Sequence, residues 1–180
     1  MDLLFFSFLT CVGEALIVLA ATRWFPGEPY TLSLVPAVCA VVMVRWGAWA
    51  AVPALLGALT LCLISGAHIH QLLVYCAGNM LALLLLPLLR GGGWKRLQGH
   101  VLLALLYGVL AALLMQTGRA AAALILGSAP GVCIMFITTD VLSTLFSALV
   151  VWICRRLDGM LEEQRHYLVR IQEEMKNTTR

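Results

Sequence analysis

The chain has 180 residues, of which 62% are hydrophobic and 12% charged, with a formal net charge of +3. A water-soluble domain is nearer half apolar and a quarter charged, so this composition leaves too little polar surface to cover a soluble globule. It points to a single membrane domain, and the absence of a basic stripe outside the loops argues against nucleic-acid binding.

The first apolar run, 3–21, follows an acidic rather than basic start (Asp2) and is interrupted by Glu14, so it reads as a retained span and not a cleaved leader. Arg23, Trp24, Pro26, Gly27 and Pro29 then form a loop of turn residues. The second run, 32–44, contains Pro36 and is short for a bilayer that takes about 20 residues per helix. Arg45-Trp46-Gly47 makes a tight turn before the third run, 48–65, and the fourth covers 71–89. Arg90 to Arg96 is a Gly-rich basic loop. The fifth run, 101–127, and the sixth, 132–154, are joined by a turn containing Pro130.

Six spans with both ends on one side put Arg45, Arg90, Lys95, Arg96, Arg155 and Arg156 together, and leave only Arg23 and Arg119 opposite. That asymmetry orients both termini to the cytoplasm. Trp46, Trp49, Trp94 and Trp152 fall near the inner interface, Trp24 near the outer. The expected fold is therefore an all-α integral membrane protein: a six-helix transmembrane bundle over 1–155 and a cytoplasmic amphipathic, coiled-coil-like tail over 156–180.

From Arg155 onward the tail has six basic and five acidic residues, too balanced for a polybasic lipid anchor. Leu157, Leu161, Gln164, Leu168, Ile171 and Met175 follow a 4-3-4-3-4 spacing, a heptad seam that predicts a helical extension of the sixth span. Leu161, Leu168 and Ile171 are its candidate partner-binding residues. The alternative is an amphipathic helix lying along the membrane or the protein's own loops, and Asp158-Gly159 marks a bend.

Ionisable groups inside spans are costly and normally face the bundle interior. Counting 1.5 Å per residue from the outer ends places Glu14, Asn79, Arg119 and Asp140, on four different helices, roughly 12–14 Å deep. Gln116 and Thr139 extend this set of candidate substrate-binding residues. The competing reading is an Arg119–Asp140 pair that only neutralises itself. The six cysteines are scattered singly with no C-x-x-C, and read as buried thiols. His68-x-His70 is two ligands at most. No metal site, cofactor or hydrolase, kinase or protease motif is indicated, and no enzymatic activity is expected.

The stretch Glu28-Pro29-Tyr30-Thr31-Leu32-Ser33-Leu34-Val35-Pro36, then Val42-Met43-Val44-Arg45-Trp46-Gly47 and the small-residue helix that follows, resembles the substrate-binding S components of energy-coupling factor vitamin transporters. The matching part covers about thirty residues; size and six-helix topology also look like that family. The resemblance implies a bacterial multi-pass cell-membrane protein that binds a small vitamin-like solute near the outer face. It would be powered through a transmembrane coupling subunit and ATPase subunits. Where the family often has A-x-x-x-A on its first helix, this chain has Gly13, Ile17 and Ala21. The alternative function is a membrane scaffold or sensory module acting through the cytoplasmic tail.

Overall fold

The structure, a computed structural model, describes residues 2–26, 32–157 and 159–178. Residues 28–31 of the resembling stretch, and Asp158, lie outside them. Among the described residues the regular structure is all helical, without strands. They contain five helical stretches long and apolar enough to cross a membrane: Asp2–Trp24, Val35–Ile64, Ile69–Gly99, Val101–Ile125 and Pro130–Arg156.

Those stretches are not all straight rods. The helix α1 (Asp2–Trp24) is continuous, but Val35–Ile64 comprises α2 (Val35–Trp46), one 3-10 turn and α3 (Ala51–Ile64). Gly47, at φ +60°, sits at the junction in a backbone state that a β-carbon disfavours. The Cys39 thiol contacts the Ala50 carbonyl at 3.6 Å, and a β-carbon on Gly57 would collide with the Val35 side chain. In a straight helix Val35 and Gly57 would stand about 33 Å apart. The chain thus reverses at Gly47, and α2 and α3 form an antiparallel hairpin.

The rest of the bundle follows as α4 (Ile69–Asn79), a 3-10 stretch over Met80–Leu85, the single turn α5 (Leu86–Leu89), and the short α6 (Gly93–Gly99). Then come α7 (Val101–Ile125), α8 (Pro130–Thr138), α9 (Val141–Arg156) and α10 (Gln164–Thr178). Two of the expected spans are therefore broken. The fourth changes to 3-10 geometry directly after Asn79, and the sixth is interrupted at Thr139–Asp140.

The second run is the centre of the molecule and not a marginal span. Every residue from Val35 to Arg45 is buried, because α1, α3, α7 and α9 enclose α2. Its small side chains (Ala37, Cys39, Ala40) permit that enclosure, and the Tyr107 hydroxyl donates to the Ala40 carbonyl at 3.0 Å. Glycine plays the same part between α4 and α7. A β-carbon on Gly78 would lie 2.5 Å from the Arg119 amide nitrogen, and one on Gly118 would meet the Gly78 carbonyl.

On α1 and α9, burial runs opposite to that of a soluble bundle. The buried residues of α1 are Ser7, Thr10 and Glu14, while Phe5, Phe8, Leu16 and Leu19 are exposed. On α9 the inner face is Ser143, Ser147, Ala148 and Val151, and the outer face includes Leu142, Leu145 and Leu149.

The tail also departs from the seam pattern. Instead of continuing the sixth span, the helix ends at Arg156, and α10 does not begin until Gln164. Gly159, at φ +68°, lies in the break, which agrees with the bend read there from the sequence. Leu161 is not on a helix at all. It is fully buried in this chain's own core, with its carbonyl accepting a hydrogen bond from Gln98 Nε2 at 3.0 Å. Leu168 and Ile171 do lie on α10, exposed and half-buried respectively.

Candidate functional site

Two helix interruptions and one helix start fall at one depth. The helix α2 begins at Val35, α4 loses its α-geometry after Asn79, and α9 begins just after Asp140. Glu14, Asn79 and Asp140 each stand ten residues inside their helices' ends at Trp24, Ile69 and Pro130, about 15 Å. The Arg119 backbone stands six residues inside the Ile125 end, about 9 Å, and its long side chain covers the difference.

Breaks of this kind expose backbone groups that must find partners inside the protein. The Leu34 amide donates to Glu14 Oε2 at 2.9 Å, and the Ser33 amide donates to Ser143 Oγ at 2.8 Å. The Ser143 hydroxyl in turn donates to Asp140 Oδ1. Asp140 Oδ2 accepts from Arg119 Nη1 at 3.1 Å, an ion pair in which both side chains are 4% exposed. Arg119 Nε donates to Asn79 Oδ1 at 2.9 Å, and Asn79 Nδ2 donates to the Ala54 carbonyl at 3.1 Å. Gln116 Nε2 reaches both the Asp140 carbonyl and Thr144 Oγ1 at 2.8 Å. Hydrogen bonds at this one layer therefore join α1, the start of α2, α3, α4, α7 and α9.

The residues singled out by depth counting are thus brought together. Glu14, Asn79, Gln116, Arg119 and Asp140 are all buried in one layer. Thr139 lies at its edge, its hydroxyl turned back to the Met135 carbonyl at 2.7 Å. Depth counting missed Ser33, Tyr75, Ser143 and Thr144. Two signals would have found two of them, Tyr75 and Ser143. Tyr75 is four residues before Asn79, on the same helix face, and its ring stacks under the Arg119 guanidinium at 4.9 Å. Asp140, Ser143 and Ser147 follow a 3-4 spacing that marks one polar stripe.

Beside the ion pair is a cavity of about 170 Å³, lined by Tyr75, Arg119, Val132, Met135, Phe136, Thr139 and Asp140. Its wall on one side is α8, held to α4 by an edge-on contact between Phe136 and Tyr75. The space is smaller than the roughly 300–1,000 Å³ usual for small-molecule sites. Two buried oxygens of the layer, Glu14 Oε1 and Gln116 Oε1, have no close hydrogen bond among the described residues, although the Ser33 side chain stands by the Glu14 carboxyl. Among the described residues no three histidine, cysteine or carboxylate side chains converge as metal ligands, and all six cysteines are free thiols. His70 contacts the Leu126 carbonyl at 3.2 Å instead.

Comparison with known proteins places the chain nowhere: no family model, no curated protein and no solved structure matches it.

The ion pair makes a stability prediction. Asp140→Asn alone strands a buried guanidinium, which costs about 3–5 kcal/mol. Arg119→Gln with Asp140→Asn removes both charges, so the double variant should melt above the Asp140→Asn single variant in detergent. A double variant that melts lower still would show that the two groups do not act as a pair.

Proposed function

We propose that the chain is a six-span membrane subunit that binds a small polar, vitamin-like solute at the Arg119–Asp140 layer. Uptake of that solute would be driven by partner coupling and ATPase subunits. The observation that carries this reading is the coincidence of two helix interruptions, the buried start of α2, an ion pair and a cavity at one depth. Interrupted helices meeting near mid-membrane are how many transporters build solute sites, because helix ends offer directed backbone groups there. Irregular backbone at membrane depth is tolerated where it is packed within protein or lines a cavity.

The reversed burial supports membrane insertion. Leu, Ile and Phe side chains on the outer surface suit hydrocarbon, and serines, glycines and alanines inside suit close helix packing. Reading the α2–α3 hairpin as two passes gives six spans, with Arg45, Lys95, Arg96, Arg155 and Arg156 on the cytoplasmic side. Arg119 favours a solute that carries an anionic group. Admission of such a solute needs more than the present cavity. The helix α8 supplies the movement, since the break at Thr139–Asp140 separates it from α9.

A second reading, a scaffold or sensory module, draws on α10, where Leu168 and Val169 stand exposed on a helix beyond the bundle. It would use Leu168 and Ile171 as partner contacts.

Two measurements test the main reading. Single cysteines in a cysteine-free background should be labelled from outside at positions 127–131 and from inside only at 91–93. Outside labelling at 91–93 would end the six-span arrangement. Against a panel of water-soluble vitamins, at least one compound should raise the melting temperature of the wild type. Asn79→Ala removes the acceptor that holds Arg119 Nε, so the loosened guanidinium should bind the compound roughly two- to twelvefold more weakly, about one hydrogen bond's worth. Unchanged affinity in Asn79→Ala would remove the solute from this layer.

A further inference from the structure

The central helix is fastened at both ends by charged side chains, and the two fastenings belong to different parts of the molecule. At its start, the Ser33 and Leu34 amides bond to Ser143 and Glu14 of the buried layer. At its other end, Arg45 bonds to the segment that leads into the tail. Arg45 Nη1 donates to the Gly159 carbonyl, and Nη2 donates to Gln164 Oε1 at 2.7 Å and to Asp2 Oδ2 at 3.5 Å. The guanidinium also stands 4.9 Å from the Trp46 ring and 5.6 Å from the Tyr167 ring. Around this contact the tail is seated by buried Leu161, by the Gln98 bond to the Leu161 carbonyl, and by Trp94 against His166.

From the first fastening to the second run eleven consecutive buried residues, Val35 to Arg45, the last being the latch itself. A close-packed helix of this kind moves as a body, because interiors at crystal-like density do not deform continuously. A shift or rotation of α2 that alters its bonds to Glu14 and Ser143 therefore also displaces Arg45 from Gly159 and Gln164.

We propose that α2 is a rigid strut that couples the buried polar layer to docking of the C-terminal helix, with Arg45 as the latch. Rearranging the layer loosens the tail, and releasing the tail loosens the start of α2. Such coupling is reciprocal by thermodynamic necessity. It gives a cytoplasmic readout of the state of a layer far from the tail. The inference concerns bonds within the chain and stands apart from the identity of any solute. Release also uncovers the surface formed by Trp94, Gln98 and Arg45, which the tail segment occupies when docked.

Hydrogen exchange of α10 backbone amides in the full chain, in nanodiscs, reads the latch directly. Arg45→Gln should speed exchange over residues 164–171 by about tenfold or more, since it removes a charge-assisted contact. Gly159→Ala should do the same from the tail side, because a β-carbon at φ +68° would also strike the Tyr167 ring. Ser143→Ala, in the distant layer, should speed exchange of the same amides about threefold. Combining Ser143→Ala with Arg45→Gln should add nothing to Arg45→Gln alone, as expected for two changes on one coupled element. Val74→Ala opens a cavity between α4, α7 and α8 without touching α2, and should leave the tail as protected as in the wild type. The proposal is overturned if Ser143→Ala leaves tail exchange unchanged. It is equally overturned if Val74→Ala speeds exchange as much as Ser143→Ala does, or if the paired variant shows the product of the two single effects.

Discussion

Backbone amides at the start of a buried helix need acceptors, and that need organises this molecule. The helix α2 begins deep in the bundle, where its leading N–H groups meet no water. Glu14 from α1 and Ser143 from α9 supply the acceptors. Ser143 is held by Asp140, Asp140 by Arg119, and Arg119 by Asn79. One requirement of backbone chemistry thus recruits side chains from the surrounding helices, and the ion pair is the part of the answer that keeps two charges tolerable away from solvent.

The same requirement sets the packing. A network that crosses six helical segments works only where the backbones come close, and Gly78 and Gly118 allow α4 and α7 to do so. Small residues on α2 let four helices surround it. Many of the Leu, Ile and Phe side chains are left to the outer surface. The cavity beside Arg119 is then a by-product of the break between α8 and α9. Polar groups gather at that break, and the side chains of Val132, Met135 and Phe136 do not fill it. A space lined by the charged Arg119–Asp140 pair is the physical basis for reading the layer as a solute site.

Much of this was legible in the sequence, in proportion to how local the signal was. Apolar runs of nearly fixed length, with loops rich in Gly, Pro and Arg, gave the helices and their order. Because helix rise is constant, counting residues from the loops was enough to bring Glu14, Asn79, Arg119 and Asp140 to one level. The continuation of the fifth run past Arg119, on which that level depended, holds, as α7 reaches Ile125. Other features are tertiary in origin and left weaker traces. The second run looked marginal because hydropathy measures length and not centrality. The break at Asp140 lies within an apolar run, where no Gly or Pro announces it. The heptad seam misread Leu161, since a spacing pattern cannot tell a coiled-coil knob from a residue that folds back into its own core. Ser33 and Ser143 are short hydroxyl side chains of ordinary helix and loop type, and only the start of α2 gives them a task.

The central claim is that this buried layer exists to hold a small solute and not merely to balance its own charges. A native mass spectrum of the wild-type protein, released gently from its membrane, tests that most directly. The account predicts a bound small molecule in the wild type that is absent from the folded Arg119→Gln, Asp140→Asn double variant. A retained molecule present equally in both, or a wild-type spectrum that stays free of any small molecule even after exposure to cell extract, would contradict it and leave the ion pair with a structural role alone.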